Sequence, residues 1–392
     1  LHKEYRRQRQ MCIRDSFFRN FADMRNLVGQ PIELIDTPAP LVHLDALERN
    51  ITRMSRTIID EAGVGWRPHT KSMKNPDLVQ LCLDAGAHGI TCAKLGEAEV
   101  MAAAGIRNIL VANEVVGQTK ISRLVKLCET SDVKVCLDNL DNVRQIDQAA
   151  AATGVRPQVL IEVDVGMGRA GVKPGQPVVD LAKEISDAAN IELVGLQTWE
   201  SHTLSIADES EKERQIISAL SLITDSAHHV RKAGIPLENI RSGRTGTYWI
   251  SAFAPGITEV EAGGGIFGCA KYRNDFGVDL EPALTILTTV TSRPDSDRII
   301  CDAGFKASGK GFGEPEVLDC GEVKSFKLSA EHGSIFLAQD HTSPRSGDQI
   351  EFVPGYSDAT VFLHDCLYGV RACLLYTSDA ADDTPCVDLG GR

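Results

Sequence analysis

Short apolar runs and amphipathic stretches alternate along the first two thirds of this chain, and that alternation restricts the fold more than any other feature. The runs lie at 64–68, 89–93, 108–112, 133–137, 158–163, 192–197, 240–242 and 258–261, each short and rich in β-branched residues. Between them lie amphipathic stretches at 76–85, 95–104, 120–128, 142–152, 177–188 and 210–233, and one more, 45–60, precedes the first run. Strand-then-helix units in series specify a parallel sheet with crossover helices. Eight of them over roughly 220 residues fit closure into a (β/α)8 barrel. A doubly wound open sheet is the alternative, but it requires a G-x-G-x-x-G opening the first helix, and the chain has none there.

Beyond about residue 275 the texture changes. Segments 284–291, 298–302, 316–319, 322–329, 335–337 and 349–353 read as strands joined by Gly, Pro, Ser and Asp turns, without a long helical period. The expectation is a barrel domain over 17–275 and a small β domain over 276–372, with the extended segment 32–44 pairing into the latter. The two ends are set apart. Residues 6–16, R-R-Q-R-Q-M-C-I-R-D-S, are the translation of a sequencing-adapter sequence, and 373–383, C-L-L-Y-T-S-D-A-A-D-D, resemble the same adapter on the opposite strand. Residues 1–16 and 373–392 are therefore read as adapter-derived and kept out of the fold, and the natural stretch is expected to be cut short at one or both ends. A basic arm for nucleic acid or membrane is the competing reading of the N-terminus.

Composition narrows the function. Eight of the eleven cysteines fall within 17–372, scattered and with no C-x-x-C pair, so neither a disulfide framework nor a zinc knuckle is indicated. The first sixteen residues carry a net +3 and the last twenty a net −3, so the net charge of −13 does not depend on them. An acidic chain argues against nucleic acid as partner. No apolar run approaches the ~20 residues of a membrane span and no signal peptide is visible, so no membrane association and a cytoplasmic, reducing location are expected.

In a (β/α)8 barrel, chemistry belongs at the C-terminal ends of the strands. Polar and glycine residues gather there: His69 and Lys71 after the first strand, Asn113-Glu114 after the third, Asp164 to Arg169 after the fifth, Gln197 to His202 after the sixth, Ser242 to Gly246 after the seventh, and Ala262 to Gly265 after the eighth. The last two turns suit a phosphate. Gly243 and Gly246 let backbone approach an anion, Thr245 can donate a hydroxyl, and Gly263, Gly264 and Gly265 can expose three amides. A lysine amine with a phosphate cradle is what pyridoxal 5′-phosphate (PLP) requires. Arg169 in its glycine-rich loop can hold a phenolate or carboxylate oxygen, or form a surface ion pair. His69 and Gln197 are placed with the cofactor-contacting residues. His202 suits a general base, a metal ligand or a structural role. His228 and His229 read as helix surface, and Cys82 and Cys92 as core.

The residues Thr37-Pro38 through Leu47-Glu48-Arg49-Asn50, then R-P-H-T-K, A-K-L-G-E-A-E, A-N-E-V-V-G and G-M-G-R-A-G, resemble the D-threonine aldolase/D-serine dehydratase family, fold-type III PLP enzymes with an alanine racemase-like barrel. The likeness runs from about residue 37 to 371. It implies that Lys71 carries the cofactor as an imine, that Arg169 contacts its phenolic oxygen, that the turns at 243–246 and 263–265 hold its phosphate, and that the chain forms a homodimer. The family's second signature is a metal site made by a histidine and, two residues on, an aspartate or cysteine. Here Tyr356 stands at the histidine position and Asp358 at the aspartate position, which puts the divalent metal in doubt. His364 is close in sequence but at a different position, and Ser205 stands where an aldolase-type histidine is expected.

The resulting expectation is a PLP-dependent lyase acting on a D-β-hydroxy-α-amino acid, with Lys71 and His202 as catalytic residues and retro-aldol cleavage to glycine and an aldehyde. The alternative is D-serine dehydratase-like elimination to a keto acid and ammonia. An amino-acid racemase would need a second acid–base group opposite Lys71, and a non-catalytic PLP-binding protein would resemble the barrel alone.

Overall fold

The structure, a computed structural model, describes residues 28–375 and 386–388. The adapter-like stretch 1–16 lies outside the described residues, as does most of 376–392. The chain divides after Leu47 and after Glu281 into two compact units.

The unit from Glu48 to Glu281 holds eight parallel strands: β2 (Gly65–Trp66), β3 (Ile90–Cys92), β4 (Ile109–Glu114), β5 (Val133–Leu137), β6 (Gln158–Val163), β7 (Glu192–Thr198), β8 (Asn239–Ser242) and β9 (Glu259–Val260). They neighbour one another in the order β2-β9-β8-β7-β6-β5-β4-β3. A parallel bridge between His69 and Thr91 joins the two outermost strands, with Thr91 N–H donating to Pro68 O at 3.0 Å and His88 N–H to Trp66 O at 3.1 Å, so the sheet closes. This is the expected (β/α)8 barrel. Its helices start and stop where local chemistry dictates. Asn75 accepts from the amides of Asp77 and Leu78 while Pro76 opens the helix Pro76–Asp84. Asn139 caps Leu140–Thr153, and Gly154 ends it in the left-handed region at φ 71°. The stretch expected as one helix over 45–60 is the α-helix Leu44–Ser55 running into a π-helical turn, Arg56–Glu61.

Side chains two apart on a strand share a face. Lys134 and Cys136 on β5, and Leu160 and Glu162 on β6, are such pairs. Leu110, Cys136, Leu160 and Val194 form a buried apolar cluster, with Lys134 one step toward the strand starts and Glu162 one step toward the strand ends.

The second unit is mainly β. It contains β1 (Ala39–His43), β10 (Leu284–Asp295), β11 (Arg298–Cys301), β12 (Glu316–Val317), β13 (Val323–Leu328), β14 (Gly333–Leu337), β15 (Gln349–Val353) and β16 (Cys366–Arg371). The sheet runs β13-β14-β11-β10-β1-β16, with β15 pairing β10 and β12. β1 is antiparallel to β10 and parallel to β16. Val290, Ile299, Ile335, Leu337 and Ile350 form one of its cores. β16 was not expected as a strand. Two short strands, Leu374–Leu375 and Cys386–Asp388, pair antiparallel with it. Both lie in the stretch read as adapter-derived, and an exposed strand edge accepts any extended segment.

Candidate active site at the mouth of the barrel

Pro68 offers no amide to a helix, and His69 stays extended at φ −79°, ψ 117°. Its ring Nδ1 accepts the Lys71 amide at 3.4 Å and caps the single turn Thr70–Ser72. Lys71 therefore leaves the end of β2 on a short, held turn. The hydroxyl of Thr70 donates to the Glu97 carboxylate at 2.7 Å, which fixes that turn against the next β-α unit.

Lys71 opens into a cavity of about 360 Å³ whose charged and aromatic lining is His69, Lys71, Glu114, Glu162, Arg169, Trp199 and Arg244, with Ala93, Ala112, Asn113 and Ala170 between. Three cations face the Trp199 ring: the Arg169 guanidinium at 4.5 Å from its centroid, Lys71 Nζ at 5.6 Å and the Arg244 guanidinium at 5.7 Å, all within cation–π range. Burial, then the charges of Lys71, Arg244, Arg169 and Lys74, hold His69 well below its usual value, so it is neutral. Burial, reinforced by Glu114, pushes Glu162 up to about 8 despite Arg244 and Arg169 nearby. Burial also raises Glu114. Arg244 pairs with the buried Glu261.

Arg169 sits in a loop that Asp164 organises, accepting from Gly166 N at 3.1 Å, Gly168 N at 2.9 Å and Lys173 Nζ at 2.7 Å. Gly166 and Gly168 adopt φ of 133° and 65°, which glycine tolerates best. Arg169 lies 3.8 Å from Glu162.

The two glycine turns differ from expectation in which amides they leave available. Gly243 donates its amide to Glu200 at 3.3 Å, and Gly265 donates to Thr245 Oγ1 at 3.0 Å, tying the turns together. The amides of Thr245, Gly246, Gly263 and Gly264, all buried, donate to no acceptor among the described residues. The glycines also serve packing: a Cβ on Gly263 would stand 2.3 Å from His69 O, and one on Gly243 would stand 2.9 Å from Val260 Cγ1.

The remaining expected residues are not all gathered here. Gln197 is fully buried on β7, its Nε2 donating to Thr198 O at 3.2 Å, and it does not line the cavity. His202 is exposed in the turn Ser201–Thr203, its ring against Gly166, and is also absent from the lining. In the other unit, the Tyr356 hydroxyl donates to Asp358 Oδ2 at 3.0 Å. No cluster of three or more His, Cys, Asp or Glu among the described residues could hold a metal ion. His364 Nε2 bonds Ala307 O at 2.6 Å. Cys82 and Cys92 are buried, and His228 and His229 touch edge-on.

Trp199, Arg244, Glu162 and Glu114 line the site without having been assigned a role from sequence. A signal existed for Glu162, the one acid in the apolar run Q-V-L-I-E-V. Trp199, Arg244 and Glu114 all lie in the strand-end segments already marked.

Residues 42–271 match the family model described as alanine racemase, N-terminal domain, and 283–370 match that described as "Putative serine dehydratase domain". A D-threonine aldolase of Arthrobacter sp is 34% identical over 346 residues, 88% of this chain and 91% of that protein. A 3-hydroxy-D-aspartate aldolase of Paracoccus denitrificans is 32% identical over 361 residues, 89% and 92% of the two chains. The crystal structure of D-threonine aldolase from Filomicrobium marinum superposes with a TM-score of 0.84 at 31% identity, covering 92% of this chain and 97% of that one. No helix among the described residues is long and apolar enough to cross a membrane. With its racemase-type barrel, its second domain and relatives that match nearly end to end, the chain belongs to the D-threonine aldolase/D-serine dehydratase family.

Proposed function

We propose that the barrel mouth is a PLP site and that the chain cleaves D-β-hydroxy-α-amino acids to glycine and an aldehyde. The observation that carries this is the placement of the Lys71 amine in one cavity with Arg169, Arg244, His69, Glu114 and Glu162. Four buried amides without an acceptor, on adjoining turns, fit the cofactor's phosphate, because a buried amide left without an acceptor costs free energy that an anion recovers. Lys71 would hold the cofactor's aldehyde carbon, the amides of Thr245, Gly246, Gly263 and Gly264 its phosphate, and Arg169 an anionic oxygen. When bound, PLP supplies an electron sink for the pair released as a bond at Cα breaks.

In the cleavage the Cα–Cβ bond breaks, the β-hydroxyl gives up its proton to become the aldehyde carbonyl, and Cα gains a proton. Groups lining the cavity can move those protons. Glu162, pushed up to about 8, is matched to transfer near neutral pH. His69 stays neutral and can give or take a proton. His202 remains the catalytic candidate from sequence, at the cavity's edge only through the Arg169 loop it touches.

The residues at the second signature do not fit a divalent ion: the Asp358 carboxylate accepts the hydroxyl of Tyr356, and neutral phenol is a poor ligand. No step is assigned to a metal. Elimination to a keto acid and ammonia is the second reading, favoured by the match of 283–370 to the dehydratase domain. We also propose a homodimer in the cytoplasm, in line with family and composition.

The test is direct. Purified chain given PLP is expected to gain visible absorbance and to release glycine from D-threonine or D-3-hydroxyaspartate, with or without chelator. Lys71→Ala is expected to lose both signals entirely. Absorbance that persists in the variant sinks the lysine assignment. A keto acid and ammonia in place of glycine selects the dehydratase reading, and strong chelator inhibition refutes metal-free action.

A further inference from the structure

Glu200 is fully buried at the end of β7, and both its oxygens are taken by the turn that follows β8. Its Oε1 accepts from Thr247 Oγ1 at 2.6 Å and Ser251 Oγ at 2.9 Å, and its Oε2 from Gly243 N at 3.3 Å. Thr247 Oγ1 in turn accepts the Arg244 amide at 3.1 Å. One carboxylate therefore grips residues 243, 247 and 251 and satisfies the first amides of the turn directly or at one remove. The amides it leaves without an acceptor are the next two, Thr245 and Gly246. Thr245 Oγ1 then receives the amide of Gly265 and carries the order across to the second turn.

A buried carboxylate beside an anion site is costly on two counts, its own desolvation and its repulsion of the anion. Its place here is accounted for by organisation. We propose that Glu200 is a positioning residue that sets the barrel's phosphate cradle, selecting a ligand that carries a phosphate over the same ligand without one. This rests on the reading of the mouth as a PLP site.

Pyridoxal, which lacks only the phosphate, separates the two claims. Apparent dissociation constants of PLP and pyridoxal are measured by visible absorbance for wild type, Glu200→Ala and Glu200→Gln, with inorganic phosphate as competitor and circular dichroism as the folding control. Glu200→Ala is expected to weaken PLP about tenfold or more and to leave pyridoxal within about twofold, since three charge-assisted hydrogen bonds to the turn are lost. Glu200→Gln keeps one acceptor oxygen and is expected to fall between, with a loss of about threefold. Inorganic phosphate is expected to displace PLP from wild type and to compete more weakly in both variants. Should Glu200→Ala not fold, Ser251→Ala removes one donor to the same carboxylate and is expected to weaken PLP by about threefold and pyridoxal not at all. An unchanged ratio of PLP to pyridoxal affinity, or tighter PLP binding in Glu200→Gln, overturns the proposal: the first makes Glu200 merely structural and the second makes repulsion dominant. Wild type that binds neither compound overturns the PLP reading itself.

Discussion

The barrel encloses two clusters of buried charge, one at the strand starts and one at the strand ends, built on opposite rules. At the starts, Glu259 receives Arg67 Nε at 3.0 Å and His88 Nε2 at 2.7 Å and pairs with Arg241. The other Arg67 nitrogens donate to Asn108 O at 2.6 Å and Asn108 Oδ1 at 2.9 Å. Gly89 makes room for this, since a Cβ there would stand 2.5 Å from Arg67 Nη1. Burial pushes the Glu259 carboxyl up, but the His88 hydrogen bond and the charges of Arg67 and Arg241 outweigh it and hold it far below the usual carboxylate range. At the strand ends, Glu162 has its nearest cation, Arg169, at 3.8 Å, and burial, reinforced by Glu114, outweighs the charges of Arg244 and Arg169, raising it to about 8. Glu259 at the starts is matched and stays ionised; Glu162 at the ends lacks a close counter-charge and titrates near neutral pH. The apolar layer of Leu110, Cys136, Leu160 and Val194 lies between the two levels.

Breaking the matched cluster has the largest expected destabilising effect. Glu259→Gln leaves Arg67 and Arg241 buried without their shared counter-charge, and is expected to cost about 3–5 kcal/mol in urea unfolding. The protein that remains folded is expected to keep its PLP absorbance, because Glu259 does not line the cavity. A cost below about 1 kcal/mol would show that the matched cluster is not a structural unit.

The unmatched cluster predicts the opposite sign. Below the ordinary carboxylate value, folded and unfolded chains both hold the Glu162 proton, so Glu162→Gln changes little. Above it the unfolded chain releases the proton while the folded one keeps it until about 8. The unfolded state then binds fewer protons, so wild-type stability falls as pH rises through that window. Glutamine does not titrate. Without cofactor, Glu162→Gln is expected to be as stable as wild type at pH 4 and more stable above pH 8, by roughly 4–5 kcal/mol. A variant less stable than wild type at pH 9 would erase the contrast between the two levels.

The same contrast explains what the sequence made legible. The barrel was readable because eight short apolar runs alternate with amphipathic stretches, a pattern fixed by burial. Lys71, Arg169 and the two glycine turns stand out in the sequence because they interrupt that pattern at strand ends. Glu200 and Arg244 lie in the same strand-end segments, but what they hold is not legible, because it depends on partners far along the chain: Glu200 on Thr247 and Ser251, Arg244 on Glu261. Which amides stay available was equally hidden, since a glycine's openness says nothing of where its N–H goes. The turn at Gly243 looked open, yet its amide is already given to Glu200. His202 follows a strand end in the sequence, and the turn Ser201–Thr203 leaves it exposed. β16 gives a weak strand signal, because C-L-Y-G-V-R carries a central glycine.

A third acid at the strand ends sharpens the comparison by being matched by a solvent-exposed cation. Asp164 takes Lys173 Nζ on one oxygen and the amides of Gly166 and Gly168 on the other. The Lys173 hydrogen bond first, then those amides, hold it at about 2 against opposing burial. The stability this contributes is present above the ordinary carboxylate value and is lost as pH falls from there toward 2. Lys173 is 76% exposed, so the pair is screened and worth at most about 1 kcal/mol. Asp164→Asn keeps an oxygen for the two glycine amides and loses only the ionic partner. It is expected to cost about 0.5 kcal/mol at pH 7 and nothing near pH 2 by urea unfolding. A cost equal at both pH values would assign the effect to the hydrogen-bonded loop geometry, and matched charge would then stabilise this barrel only where water is excluded.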